Sequence, residues 1–122
     1  MAKAAARSCY HGIPGVLKNA LDWASRPLGR SALTGKAVLV ISVSPAFTSG
    51  DRAQAQANET LLAIQSRPVL GPQVVIGNVA DKIRDGRLTD EPSLRFALSA
   101  IDRLIALCPA GHQAEYAQPS LS

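Results

Sequence analysis

The run Ala37-Val38-Leu39-Val40-Ile41-Ser42-Val43 carries the fold class. It is rich in β-branched residues, shows no apolar–polar alternation, and stops at Ser44-Pro45. Such a run suggests a strand buried on both faces, as in a parallel sheet. Upstream, Pro14 suits the first turn of a helix, where its missing N–H would have no partner anyway. Val16, Leu17, Ala20, Leu21 and Ala24 then recur at helical spacing until Pro27 and Gly29 end the pattern. Residues 26–35 read as a polar loop. Downstream, Thr48, Ser49 and Gly50 lead into a second helix from about Asp51 to Gln65, with Ala53, Ala57, Leu61 and Ile64 on its apolar side.

Pro68, Gly71 and Pro72 break the chain, Val74-Val75-Ile76 reads as a short strand, and Asp85-Gly86 as a turn. Thr89 or Asp90 can cap a third helix that opens with Glu91 and Pro92. Its apolar stripe is expected at Leu94, Leu98, Ile101 and Ile105, with Pro109 and Gly111 as its end. Residues 1–9 carry no clear signal, and no internal repeat is present. Helix, strand, helix, strand, helix is the order of βαβ units on a parallel sheet, so the fold class is α/β. Residues 1–110 form the folded portion and residues 111–122 a loose tail.

Composition bounds the function. A chain of 122 residues is one domain at most. With 47% hydrophobic and 18% charged residues it is globular rather than disordered, and with 4% aromatics its core is built from Ala, Val, Leu and Ile. The net charge of +4 is spread over scattered Lys and Arg, which argues against nucleic acid as a partner. No apolar run approaches the roughly 20 residues that span a bilayer, so no membrane role is expected. Two cysteines, Cys9 and Cys108, are too few for a disulfide scaffold, and a cytoplasmic setting with reduced thiols is expected.

Two segments carry chemistry. The first is Ser8-Cys9-Tyr10-His11-Gly12-Ile13-Pro14-Gly15, continuing through Leu17-Lys18-Asn19-Ala20 to Asp22-Trp23. The second is Val38 to Ser44-Pro45-Ala46, continuing through Gly50, Arg52, Ala53 and Gln54. Together they resemble the NAD(P)H-dependent FMN reductases, a flavodoxin-like family that includes quinone, chromate and azo-dye reductases. The resemblance runs from about residue 8 to residue 106 and is most specific in its first part. It implies a partial flavodoxin-like three-layer sandwich, of which about two strands and three helices are expected here. In that fold FMN binds at the carboxyl ends of the strands.

The resemblance places Tyr10, His11 and Gly12 at the flavin ring edge and Ser44, Pro45 and Ala46 on the opposite side of the site. It implies FMN as cofactor, NAD(P)H as co-substrate, a quinone or similar electron acceptor, and a homo-oligomer, dimer or tetramer. The cofactor carries the hydride chemistry, so no catalytic acid or base is expected. Departures exist. Only His11 and Gly12 match the first loop without a gap, Tyr10 matches if one residue is deleted, and Ala46 stands where a Gly is usual. The family's Gly-Ser-x-Arg phosphate loop is not found, so the chain looks like the carboxyl-terminal part of such a domain. On that reading the strand at 37–43 would expose an apolar edge. Low stability, or rescue by a partner or by self-association, is then expected.

Three alternatives stand beside this one. The chain could be a non-enzymatic fragment or interaction domain that does not retain FMN. Cys9, His11, Cys108 and His112 can be assembled into a zinc set, but their spacings are not those of a standard finger. A hydrolase triad built on Ser44 and His11 lacks the nucleophile elbow. For Trp23, packing or a subunit interface is the expected role, and for Arg52 a solvated helix start or attraction of the anionic nicotinamide cofactor.

Overall fold

The computed structural model describes residues 12–45 and 50–108. Helix α1 spans Gly15–Ala24, α2 spans Asp51–Ala63 and α3 spans Glu91–Leu107. The strands are β1 Ala37–Val38, β2 Ile41–Val43, β3 Arg67–Pro68, β4 Val74–Ile76, β5 Ile83–Arg84 and β6 Arg87–Leu88, with a short 3-10 turn at Val79–Asp81. The parallel α/β character is as expected: β1 pairs in parallel with β3, and β2 in parallel with β4. The Asp85-Gly86 turn closes a small antiparallel hairpin of β5 and β6, whose two-residue arms the sequence pattern does not reveal.

The single strand expected over residues 37–43 is broken at Leu39–Val40. Ala37 lies opposite Arg67 and Ile41 opposite Val74, so the offset between the paired segments is 30 residues in the first pair and 33 in the second. Residues 69–73 hold the excess. At the break, the Val40 carbonyl has left the ladder and accepts a hydrogen bond from Gln54 Nε2 at 2.9 Å. A buried carbonyl without a partner would be costly, and this side chain supplies one.

Helix α2 packs on one face of the sheet through Ala53, Ala57 and Leu61, with Ile64 just beyond its last turn, all four buried as the spacing predicted. Helix α3 covers the other face. Its buried residues are Ala97 and Ala100, which pack with Val74 and the half-buried Leu39. The expected stripe is therefore displaced, since Leu94 and Leu98 are exposed. Alanine lets the helix backbone approach the strand closely, and the larger leucines are left to the flanks. Asp90 caps α3 as expected, accepting from the Ser93 backbone N–H at 3.1 Å and from Ser93 Oγ at 2.5 Å. These two hydrogen bonds, then the nearby Lys82 charge, hold its carboxyl below the ordinary value of 3.8.

The expectation that the strand is buried on both faces is corrected. Side chains two apart on a strand share a face, and directly paired residues share it too. Ile41 and Val43 thus lie on the same face as Val74 and Ile76, the α3 face. Val74 is 1% exposed, but Ile41 is 39% and Val43 55% exposed. Helix α3 covers the β4 row and stops short of β2. Helix α1 shields neither: it has no buried residue, and its Val16 is 83% and Trp23 77% exposed.

Candidate functional site

The two chemistry-bearing segments meet α2 from different directions. Strand β2 hands its carboxyl end to Ser44, which is buried. The Ser44 N–H donates to the Ile76 carbonyl at 2.9 Å, and the Ser44 carbonyl accepts from the Val79 N–H at 3.1 Å. Its backbone is thus the last rung of the parallel ladder, extended into the turn after β4. Pro45 is exposed at the carboxyl end of the sheet, the side on which doubly wound sheets bind ligands. Proline has no N–H to offer. Through their backbone, Ser44 and Pro45 build and present the turn and donate nothing to a ligand there.

The turn closes through Gly50, which is buried and precedes the first residue of α2. A Cβ at position 50 would sit 2.7 Å from Ser42 Oγ and 2.9 Å from Ser42 Cβ. Glycine lets the start of α2 rest directly on the strand. Ser42 Oγ in turn donates to Gln54 Oε1 at 2.9 Å. Gln54, itself buried, therefore bridges Ser42 and Val40 with both ends of its amide. The polar residue within an otherwise apolar strand is the one that faces the helix.

The other segment is Gly12-Ile13-Pro14, half-buried ahead of α1. Pro14 occupies the N-cap with φ −65° and ψ 148°, and its carbonyl accepts from the Lys18 N–H at 3.0 Å. The Ile13 N–H donates to Gln56 Oε1 at 2.7 Å, fastening this segment to the second turn of α2. Gln56 was not anticipated, because an exposed glutamine on a helix carries no signal in the sequence. The Ile13 and Ser44 amides are thus both engaged within the protein.

Of the six residues expected at the site, Gly12, Ser44 and Pro45 are placed as above, while Tyr10, His11 and Ala46 lie outside the described residues. So do three of the four residues of the conceivable zinc set, Cys9, His11 and His112, leaving only Cys108 described. Arg52 is exposed in the first turn of α2. Among the described residues, two hollows lie elsewhere. One, of about 30 Å³, lies at the strand break, where α2 and α3 both reach it, and is lined among others by Val40, Gln54, Val74 and Arg103. It adjoins Arg103, whose Nε is buried with no hydrogen-bond partner among the described residues. A polar hollow of this size suits a single water. The other is a shallow depression on α3 lined by Glu91, Pro92, Arg95, Phe96 and Ser99. Neither is lined by Gly12, Ser44 or Pro45.

Residues 8–81 match the family described as NADPH-dependent FMN reductase, and both segments fall within that match. The chain belongs to this family. It is 33% identical over 91 residues to a quinone reductase of Pseudomonas putida, covering 75% of this chain and 49% of that protein. A second Pseudomonas putida quinone reductase is 39% identical over 80 residues, 65% of this chain and 43% of that protein. An NAD(P)H-dependent FMN reductase of Pseudomonas aeruginosa is 34% identical over 82 residues, 66% of this chain and 44% of that protein. The chain thus spans slightly under half the length of these relatives. Among its described residues no helix is long and apolar enough to cross a membrane.

Proposed function

We propose that these 122 residues form the ring-side part of an NAD(P)H-dependent FMN reductase domain. The observation that carries this reading is the family match over residues 8–81. It spans both the segment ahead of α1 and the Ser44-Pro45 turn at the carboxyl end of β2. A bound FMN would supply the acceptance of hydride from NAD(P)H and the delivery of electrons to a quinone or similar small-molecule acceptor. The chain's own work is binding and orientation. Gly12, with the neighbouring Tyr10 and His11, would meet one edge of the ring, and the Ser44-Pro45-Ala46 turn would bound the other side. This part fits a ring. It supplies no phosphate cradle: the sequence contains no Gly-Ser-x-Arg, Gly-x-Gly-x-x-Gly or Walker-type loop. A cytoplasmic setting fits a nicotinamide-dependent reductase with reduced thiols. Self-association as a dimer or tetramer fits the exposed Val16, Trp23 and Leu28 in and after α1.

A second reading is a fragment or interaction domain that does not retain FMN. One experiment separates the two. The purified full chain is mixed with FMN and desalted, and its visible absorption is recorded. Retained flavin bands, followed by NADPH oxidation with a quinone, are the expected result for the reductase. A colourless protein with intact far-ultraviolet circular dichroism would sink the reductase reading for this polypeptide and leave the second.

A further inference from the structure

We propose that α2 is the shared mount of the two candidate flavin-facing segments, and that Gln56 and Gln54 are its positioning residues. The inference rests on the flavin reading for the identity of the ligand, and on hydrogen bonds alone for the mount. Gln54 reaches inward and holds Ser42 and the freed Val40 carbonyl, both at 2.9 Å. These contacts fix the part of the sheet that ends in Ser44-Pro45. Two residues on, Gln56 reaches out and holds the Ile13 N–H at 2.7 Å, which fixes the segment next to Gly12. Helix α1 has no buried residue to hold that segment by packing. The separation of the two segments is therefore tied to two positions of one rigid helix, little more than half a turn apart. A ring gripped between two backbone segments is bound well only when their spacing is fixed beforehand, since ordering them on binding costs affinity.

The substitution Gln56→Ala removes one acceptor at an exposed site and leaves the core untouched. In the full chain, we expect it to speed hydrogen exchange of the Ile13 amide, read by NMR, roughly two- to tenfold, the factor that one net hydrogen bond carries. The amides of β4 should not change. FMN binding, read by quenching of flavin fluorescence, should weaken by a similar factor. Gln56→Glu keeps an acceptor for the Ile13 N–H and should restore both. An unchanged Ile13 rate in Gln56→Ala, or a Gln56→Glu variant as fast as Gln56→Ala, overturns the mount. Faster Ile13 exchange with FMN affinity unaltered overturns the link between mount and site. If wild-type chain takes up no FMN while the exchange pattern holds, the flavin reading falls and the mount stands.

Discussion

The two halves of this molecule use similar apolar content to opposite ends. From Ala37 to Leu107, helices α2 and α3 clasp the β3 and β4 side of a short parallel sheet, and Val74 and Ala100 are essentially inaccessible. Over Gly15–Ala24, an equally amphipathic helix buries no residue, and β2 turns Ile41 and Val43 to solvent at the margin of the α3 face, beyond the row that α3 covers. Amphipathic pattern makes a helix possible; burial needs an opposing surface. The second half has one and the first does not. The uncovered row agrees with the fact that the chain spans slightly under half of its relatives' length.

The sharpest way to break this contrast is one substitution made in both halves. Val74→Ala should destabilise by about 2 kcal/mol, because it removes buried methyls and leaves a cavity. Val16→Ala, on α1, should change stability by less than about 0.5 kcal/mol. Urea unfolding of the two variants decides it, and equal losses would mean that α1 is packed after all.

A smaller effect is expected where α2 rests on the strand. Gly50→Ala should cost about 1–2 kcal/mol, since the new methyl meets Ser42 at under 3 Å. Adding Ser42→Gly should return part of that loss. A double-mutant cycle that is additive would show that the contact is not tight.

The smallest effect is electrostatic. The folded Asp90 carboxyl titrates below its ordinary value of 3.8, so the stability it contributes is fully present above that value and is lost as pH falls through the lower folded one. Asp90→Asn retains a capping acceptor but does not titrate. Its stability should follow the wild type at a nearly constant interval above about pH 5, and the interval should shrink on further acidification. An interval that widens with acid would contradict the cap's role.

What the sequence made legible follows the same division. The buried side of α2, the Asp90 cap, the Asp85-Gly86 turn and strand β4 were all readable, because spacing and capping chemistry are local. The buried side of α3 was misread: hydrophobicity favours Leu94 and Leu98, whereas close packing on Val74 selects Ala97 and Ala100. Ser42, read only as part of an apolar run, is the residue that meets Gln54. The strand break was hidden, since nothing in Val38-Leu39-Val40-Ile41 announces that a glutamine fourteen residues on will take up a carbonyl. At the candidate site, Gly12, Ser44 and Pro45 are proposed from family resemblance rather than from periodicity. Gln56 escaped both routes, because a hydrogen bond between residues 43 apart is a property of the fold.

The change of pairing offset from 30 to 33 has a consequence for how this sheet can vary in length. Strand side chains alternate with a period of two, so an odd number of extra residues in an unbroken strand would exchange its two faces. Here the excess of three is shed sideways into residues 69–73, where Gly71 adopts φ +133° and the Leu70 carbonyl accepts from Arg103 Nη1 at 3.2 Å. The strand resumes in phase, with Val74 against α3. That excursion works as an expansion joint: insertions or deletions there would leave the facing of β4, and the Ser44 rung beyond it, where they are.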